Sequence, residues 1–595
     1  MDAATELPPE ILPEYQDFLT RIADRVNSGA ILADLPNWLV RNTKLRGKPW
    51  SFKDHEFQIA IARDQSPQKA VKKCSQMGLT ELEIRLCLAY CRVSNGRALM
   101  YVLPYNKLAT KIAKSRFDPV IEGSTSLSNS LTPGANSADF KRIGDSLLYI
   151  TGAETVTSAI SAPIDRIIVD ERDFCRERVL GILNSRMRHA DNPMRDDFST
   201  PTIGNFGISA AYEKSDQKRY TVKCLHCNKV QAPSFIDQVV IPGYDKPFKE
   251  LEKEDFTFHR YEFEKSYVRC IRCGKELDTS FPIAQQRQWI AAFPGRAVSG
   301  YAVKPYDLYK YNQTPKILLQ YSDYSNQQDY FNFVLGEELD TKENKVDDSV
   351  VAKCFTGMQT ESADDCYVGI DVGKTLHIFI LVPLTGKKKV IRIEKIRIGD
   401  GPFKQQIVAL LKPYNFRRLI IDAGPDISLP PALIAEYGPE RVQACTYVKG
   451  KVGSLTFYEV GDTEETIGTV KAARTKGFDH MVKQINHEQY EFCRGVHEKE
   501  VRFHMQQIAR KEEYNEEGEK VPRWVKLDSD DHYFHACFYA HLAAEIDEGM
   551  FLAADEVAPV SITGVSVGAA NHNPLASSEM KQAMAMFGVS TARRR

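Results

Sequence analysis

Between residues 46 and about 215, short apolar runs alternate with helix-compatible stretches: ALMYVLP at 98–104, SLLYITG at 146–152 and DRIIVDE at 165–171. Parallel strands need crossover connections, which helices supply, so this rhythm predicts an α/β domain built on a mainly parallel sheet. A second rhythm follows at 366–424. There YVGIDVG, LHIFILV and KVIRIEKIRI are strand-like runs separated by turn-compatible residues, and a helical run at 403–412 precedes a fourth strand, RRLIIDAG. A chain of 595 residues exceeds what a single core serves, and its 43% apolar content supports two.

The flanking and intervening segments read differently. Residues 1–45 form a helical start, with Ile11, Leu12, Tyr15, Phe18, Leu19 and Ile22 at helical spacing, which either packs on its own domain or docks a partner. Residues 216–360 hold paired cysteines and many aromatics and shift toward Tyr, Gln and Asn near 301–332, as expected of a metal module plus a lid or linker. The second strand-rich domain occupies 361–550. Residues 551–595 turn small and polar and end in Arg593, Arg594 and Arg595, the composition of a flexible tail. With 78 Lys plus Arg against 79 Asp plus Glu, the chain is not a basic nucleic-acid module, so any DNA contact must come from local patches. The first residues lack a basic stretch leading into an apolar one, and no apolar run is long enough to span a bilayer, so a soluble, cytosolic protein without a membrane partner is expected. Thirteen scattered cysteines suit a reducing compartment.

The segment Lys72-Lys73-Cys74-Ser75-Gln76-Met77-Gly78-Leu79-Thr80-Glu81 runs into the helical stretch LEIRLCLAY, where backbone N–H groups at a helix start could cradle phosphates. Against GxxxxGK[ST], Gly78 and Thr80 are in register, whereas Lys73 stands where Gly is usual and Leu79 where Lys is usual. Alone, this is an ordinary loop into a helix. Downstream, Arg166-Ile167-Ile168-Val169-Asp170-Glu171 is an apolar strand ending in two acids. There Asp170 could hold Mg²⁺ while Glu171 polarises the attacking water, the division that phosphoryl transfer from ATP requires. Gln58, upstream of the loop, offers an amide to the two-sided edge of adenine. In Ser199-Thr200-Pro201-Thr202 a hydroxyl could sense the γ-phosphate. Arg116, in KSRFDP, is either an arginine finger or a surface arginine.

Cys224-x-x-Cys227 and Cys270-x-x-Cys273 offer four thiolates in two knuckles, each followed by a turn former, Asn228 and Gly274. Four soft ligands suit tetrahedral Zn²⁺ and leave no open position, which makes the site structural. His226 reads as a surface residue. Cutting a phosphodiester with two Mg²⁺ or Mn²⁺ ions requires carboxylates converging from distant segments. The candidates are Asp371, Asp422 and one of Asp528, Asp530 and Asp531, which open the helix DHYFHACFYAHLAA; these last acids also suit a helix N-cap. The order β-β-β-α-β is that of ribonuclease H-like nucleases, whose first and fourth strands are neighbours, so Asp371 and Asp422 should face each other.

With these residues in place, the chain resembles the large subunit of tailed-bacteriophage terminases, specifically the lambda type. The resemblance runs from about 46 to 545 and is carried by the loop with Lys73 at its start, RIIVDE, STPT and YEKSDQKRYTVKCLHCNK in that order. It implies a P-loop ATPase domain, a zinc-binding insert or linker and a ribonuclease H-like nuclease domain. It also implies that Lys73 replaces the usual loop lysine, that Asp531 is the third nuclease ligand with His535 beside it, and that paired cysteines are a family feature. The function implied is a packaging motor that cuts concatemeric viral DNA and pumps double-stranded DNA into a procapsid using ATP. The implied partners are a small terminase subunit, docking on 1–45, and the portal protein, docking on 551–595. A homo-oligomeric ring in the host cytoplasm completes that picture. The family often has an aromatic where Leu79 stands and an aliphatic where Met77 stands. A helicase-nuclease of the restriction or repair type would need a second RecA-like domain, and 216–360 has no second strand-rich half. A non-catalytic portal or capsid adaptor would have lost Glu171 or Asp371, and both are present.

Overall fold

A computed structural model describes residues 34–555, apart from 95, 155–162, 280–286, 340, 342–343, 398–401, 449–455, 515–518 and 528. The apolar helix expected at 11–22, nearly all of the tail and Asp528 lie outside the described residues.

The first sheet is built on seven consecutive parallel strands. In chain order they are β1 (Gln68–Lys73), β2 (Ala98–Leu103), β3 (Ser146–Gly152), β4 (Arg166–Asp170), β5 (Met194–Ser199), β6 (Lys218–Lys223) and β7 (Ser299–Val303). In space the order is β6-β7-β1-β5-β4-β2-β3, with antiparallel strands only at the margins. Each neighbour of β1 comes from far along the chain, so crossovers return every strand in the same sense and all strand ends of one polarity share one edge. Helix α1 (Leu79–Val93) leaves that edge after β1 and is buried on most of its circumference, Glu83 and Arg85 included.

This sheet does not stop at residue 215. Strands β6 and β7 both fall in the segment read as a metal module and linker, and β7 pairs directly with β1 from Ser299↔Lys69 to Val303↔Lys73. The cysteine module is therefore an excursion between two strands of the first domain. Its core is shared with the segment after β7: Phe235, Phe248, Phe256 and Phe263 pack with Tyr321 and Tyr330.

The second sheet begins with β8 (Ala363–Asp371), β9 (Thr375–Leu384) and β10 (Lys387–Arg397), an antiparallel meander. A helix at Phe403–Leu411 then delivers β11 (Tyr414–Asp422) parallel to β8, the order expected from the sequence. Strands β12 (Val442–Val448), β13 (Thr469–Ala473) and β14 (Tyr490–Cys493) extend it to β14-β10-β9-β8-β11-β12-β13. A separate hairpin, β15 (Ile508–Tyr514) and β16 (Lys520–Lys526), precedes helix α2 (His532–Asp555). Helix α2 lies so close on β8 that a Cβ at Gly369 would sit 2.1 Å from the Ala540 nitrogen and 2.2 Å from the Ala536 oxygen. Only glycine permits that approach. No helix among the described residues is long and apolar enough to cross a membrane.

Candidate active sites

Strand β1 ends at Lys73 and α1 starts at Leu79; the loop between them lines a cleft of about 480 Å³ together with Leu45, Arg46, His55, Thr80, Glu81, Arg116 and Glu171. The loop turns through two left-handed residues, Gln76 (φ 62°) and Gly78 (φ 73°). Its apolar side chains are anchored inward: Cys74, Met77 and Leu79 are each at most 2% exposed. At the position where the common motif has lysine, Leu79 is thus a core residue. The cation comes from the other end of the loop, where Lys73 Nζ lies 2.8 Å from Glu171 Oε1 and 3.6 Å from Asp170 Oδ1. Burial alone would lower the Lys73 pKa, but the Glu171 and Asp170 carboxylates outweigh it and hold the ammonium charged.

Asp170, at the end of β4, is buried and accepts hydrogen bonds from Thr80 Oγ1 and Tyr101 OH, both at 3.0 Å. A loop hydroxyl beside a strand-end carboxylate is a donor set that fits Mg²⁺ with nucleotide phosphates. Glu171 adopts a left-handed backbone (φ 55°, ψ 48°), and its Oε2 accepts from Thr200 Oγ1 at 3.4 Å, so STPT does reach the acid pair. Arg116 lines the cleft and pairs with Glu81 at 3.2 Å. Gln58 is fully buried behind the loop: its Nε2 donates to the Met77 carbonyl at 2.8 Å, and its Oε1 has no partner among the described residues. His55 takes the place on the cleft wall. Two groups near Asp170 escaped the sequence reading, Tyr101 and the buried Glu83, whose carboxyl burial and then Asp170 push well above the usual range.

In the second domain, Asp371 and Asp422 end adjacent parallel strands, one step beyond the paired residues Ile370 and Ile421. Burial, reinforced by Asp371 and opposed by the Gly424 N–H, pushes the Asp422 pKa up to about 6. Asp531 is held by Lys526 Nζ at 3.1 Å and His535 Nε2 at 3.4 Å. Burial would raise its pKa, but His535 and Lys526 keep the carboxyl below the ordinary range. His535 in turn shares a 2.8 Å hydrogen bond with Tyr447 OH. The side chain of this segment that touches Asp371 is His532, with Nδ1 2.8 Å from Oδ2. The sequence reading passed over His532 and also His377, which β9 pairs directly with Asp371.

The four cysteines of the module come together, with every Sγ within 4.8 Å of the others. Cys224 and Cys273 are 3.8 Å apart, and Cys227 and Cys270 are 3.7 Å apart. Each knuckle closes on a left-handed residue, Asn228 (φ 60°) and Gly274 (φ 72°), whose N–H bonds back to the first cysteine's carbonyl. Spacings near 3.8 Å match the edges of a tetrahedron of thiolates about 2.3 Å from a central ion. His226 points to solvent.

Residues 54–288 match the family described as phage terminase large subunit gpA, ATPase domain. Among solved structures, the large terminase of bacteriophage HK97 is similar over 86% of this chain and 98% of that one, at 8% identity and a TM-score of 0.48. The large terminase of the thermophilic bacteriophage D6E in complex with ADP is similar over 82% and 98%, at 11% identity and 0.28. The nuclease domain of human cytomegalovirus terminase is similar over 34% and 97%, at 10% identity and 0.23. No curated protein matches the chain.

Proposed function

We propose, from the match of residues 54–288 to the phage terminase large-subunit ATPase domain, that this chain is a viral DNA-packaging motor that hydrolyses ATP and cuts concatemeric DNA. The observation that carries the motor reading is the convergence of Lys73, Thr80, Asp170 and Glu171 on one cleft at the edge where the parallel strands end. Loop N–H groups from Gln76 to Glu81 hold the phosphates, those of Cys74 and Ser75 being already bonded to the Val303 and Phe333 carbonyls, and Lys73 neutralises charge on the transferring group. Thr80 and Asp170 hold Mg²⁺. Glu171 is released from Lys73 as phosphate takes its place, leaving the carboxylate free to orient water.

The cutting site is assigned to Asp371 and Asp422, with Asp531 as third carboxylate once Lys526 and His535 let it turn. Divalent ions there supply a nucleophilic water and stabilise the leaving oxygen. The cysteine module holds zinc in a structural role. Double-stranded DNA is the substrate, and the assembly comprises a homo-oligomeric ring, a small terminase subunit and the procapsid portal in the host cytoplasm. The participation of β6 and β7 in the first sheet favours this over a helicase-nuclease, because those strands complete one motor domain instead of starting another. The test is a packaging reaction with procapsids, small subunit, ATP and linear DNA: DNase-protected DNA is expected with this chain and none without ATP. ATP turnover without any protected DNA contradicts the packaging reading.

A further inference from the structure

Asp371 has chemistry on both sides of its strand. Strand β11 carries Asp422, and on the other side β9 places His377 directly opposite Asp371 in antiparallel register. The His377 ring is 2% exposed, yet neither Nδ1 nor Nε2 has a hydrogen-bond partner among the described residues. Leaving two buried ring nitrogens unpaired is costly, so a missing partner is expected there. The ring stacks on His532 with centroids 4.9 Å apart and planes within 8°, and His532 Nδ1 lies 2.8 Å from Asp371 Oδ2. One nitrogen from each histidine and one Asp371 oxygen all fall within 4.8 Å of one another. Ligands about 2.0–2.2 Å from a common ion stand roughly 3–4 Å apart, so a small closure suffices. The neighbouring His504 is already used, its Nδ1 accepting from the Tyr533 N–H at 3.3 Å.

We propose that Asp371, His377 and His532 form a nitrogen-rich metal position that shares Asp371 with the carboxylate position at Asp422 and takes a first-row transition ion in preference to Mg²⁺. Two imidazoles and one carboxylate suit Mn²⁺, Co²⁺ or Zn²⁺, whereas Mg²⁺ favours an all-oxygen shell with retained water. The inference rests on the nuclease reading only in sharing Asp371. Its consequence is a site with two unlike metal positions, one selective and one permissive.

The test is pulsed electron paramagnetic resonance on the full chain with less than one equivalent of Mn²⁺ and no nucleotide. ¹⁴N modulation from metal-bound imidazole is expected in the parent protein. It should weaken in His377→Gln and in His532→Gln, each with at least about a tenfold loss of Mn²⁺ affinity, and persist in Asp422→Asn. Bound Mn²⁺ without ¹⁴N coupling in the parent overturns the proposal, as does coupling unchanged in both histidine variants. Plasmid cleavage measured on the same samples separates the two readings: ¹⁴N coupling without cleavage by the parent refutes the nuclease assignment and leaves the metal position standing.

Discussion

Lys73 and Glu171 meet across the nucleotide cleft, Nζ to Oε1 at 2.8 Å. The preceding lysine goes the other way: Lys72 Nζ lies 3.1 Å from Glu338 Oε2, because adjacent residues of a strand face opposite sides. Lys73→Ala should therefore lower ATP turnover at least about tenfold, equivalent to roughly 1.4 kcal/mol of transition-state stabilisation. Lys72→Ala should leave kcat within about threefold but lower folding stability by roughly 1–3 kcal/mol, since a largely buried ion pair is broken. Steady-state ATPase assays and thermal unfolding of both variants check this, and equal effects on kcat would remove Lys73 from the site.

Gln58 braces the phosphate loop through the Met77 carbonyl. Gln58→Leu deletes the brace while filling the space, and should weaken ATP binding about tenfold. Competition between ATP and GTP distinguishes two roles: unchanged preference for ATP leaves the amide as a brace, and a lost preference shows that its free oxygen also reads the base.

The cysteine module should hold about one zinc per chain, since four thiolates fill one tetrahedral site. Elemental analysis measures the content. Stripping the metal should unfold the module's aromatic core at a lower temperature than the sheets, and Cys227→Ser should do the same. Metal-free protein whose four thiols alkylate readily under native conditions while the melting profile is unchanged would contradict this.

Much of this architecture is legible locally. The β-β-β-α-β order of 363–422 follows from runs and turns, and the Asp170-Glu171 pair, which alone reads as a solvated strand edge, gains its meaning from the loop at 73–80 upstream. The strand partners are less legible. Nothing within 218–223 or 299–303 says that they extend the sheet of β1, because 299–303 pairs with residues 69–73, far away in the chain, and 218–223 joins only through 299–303. Likewise His377 reads as one polar residue in LHIFILV, and its significance depends on His532, brought beside it only by folding. At the start of α2 one residue rotates a side chain by about 100°, a difference in direction that the run of acids and histidines does not display. That rotation turns Asp531 toward Lys526 and His535, and His532 toward Asp371.

One chain that carries two separate active sites should lose its two activities independently, and two variants separate them. Glu171→Gln and Asp371→Ala are each assayed for ATP turnover and for plasmid cleavage in Mn²⁺. The glutamine variant should bind ATP, hydrolyse it at least about 100-fold more slowly and still cut DNA. The alanine variant should cut no DNA and hydrolyse ATP at the parental rate. Parental ATP turnover in Glu171→Gln, or parental cleavage in Asp371→Ala, would mean that the two activities do not reside at these residues.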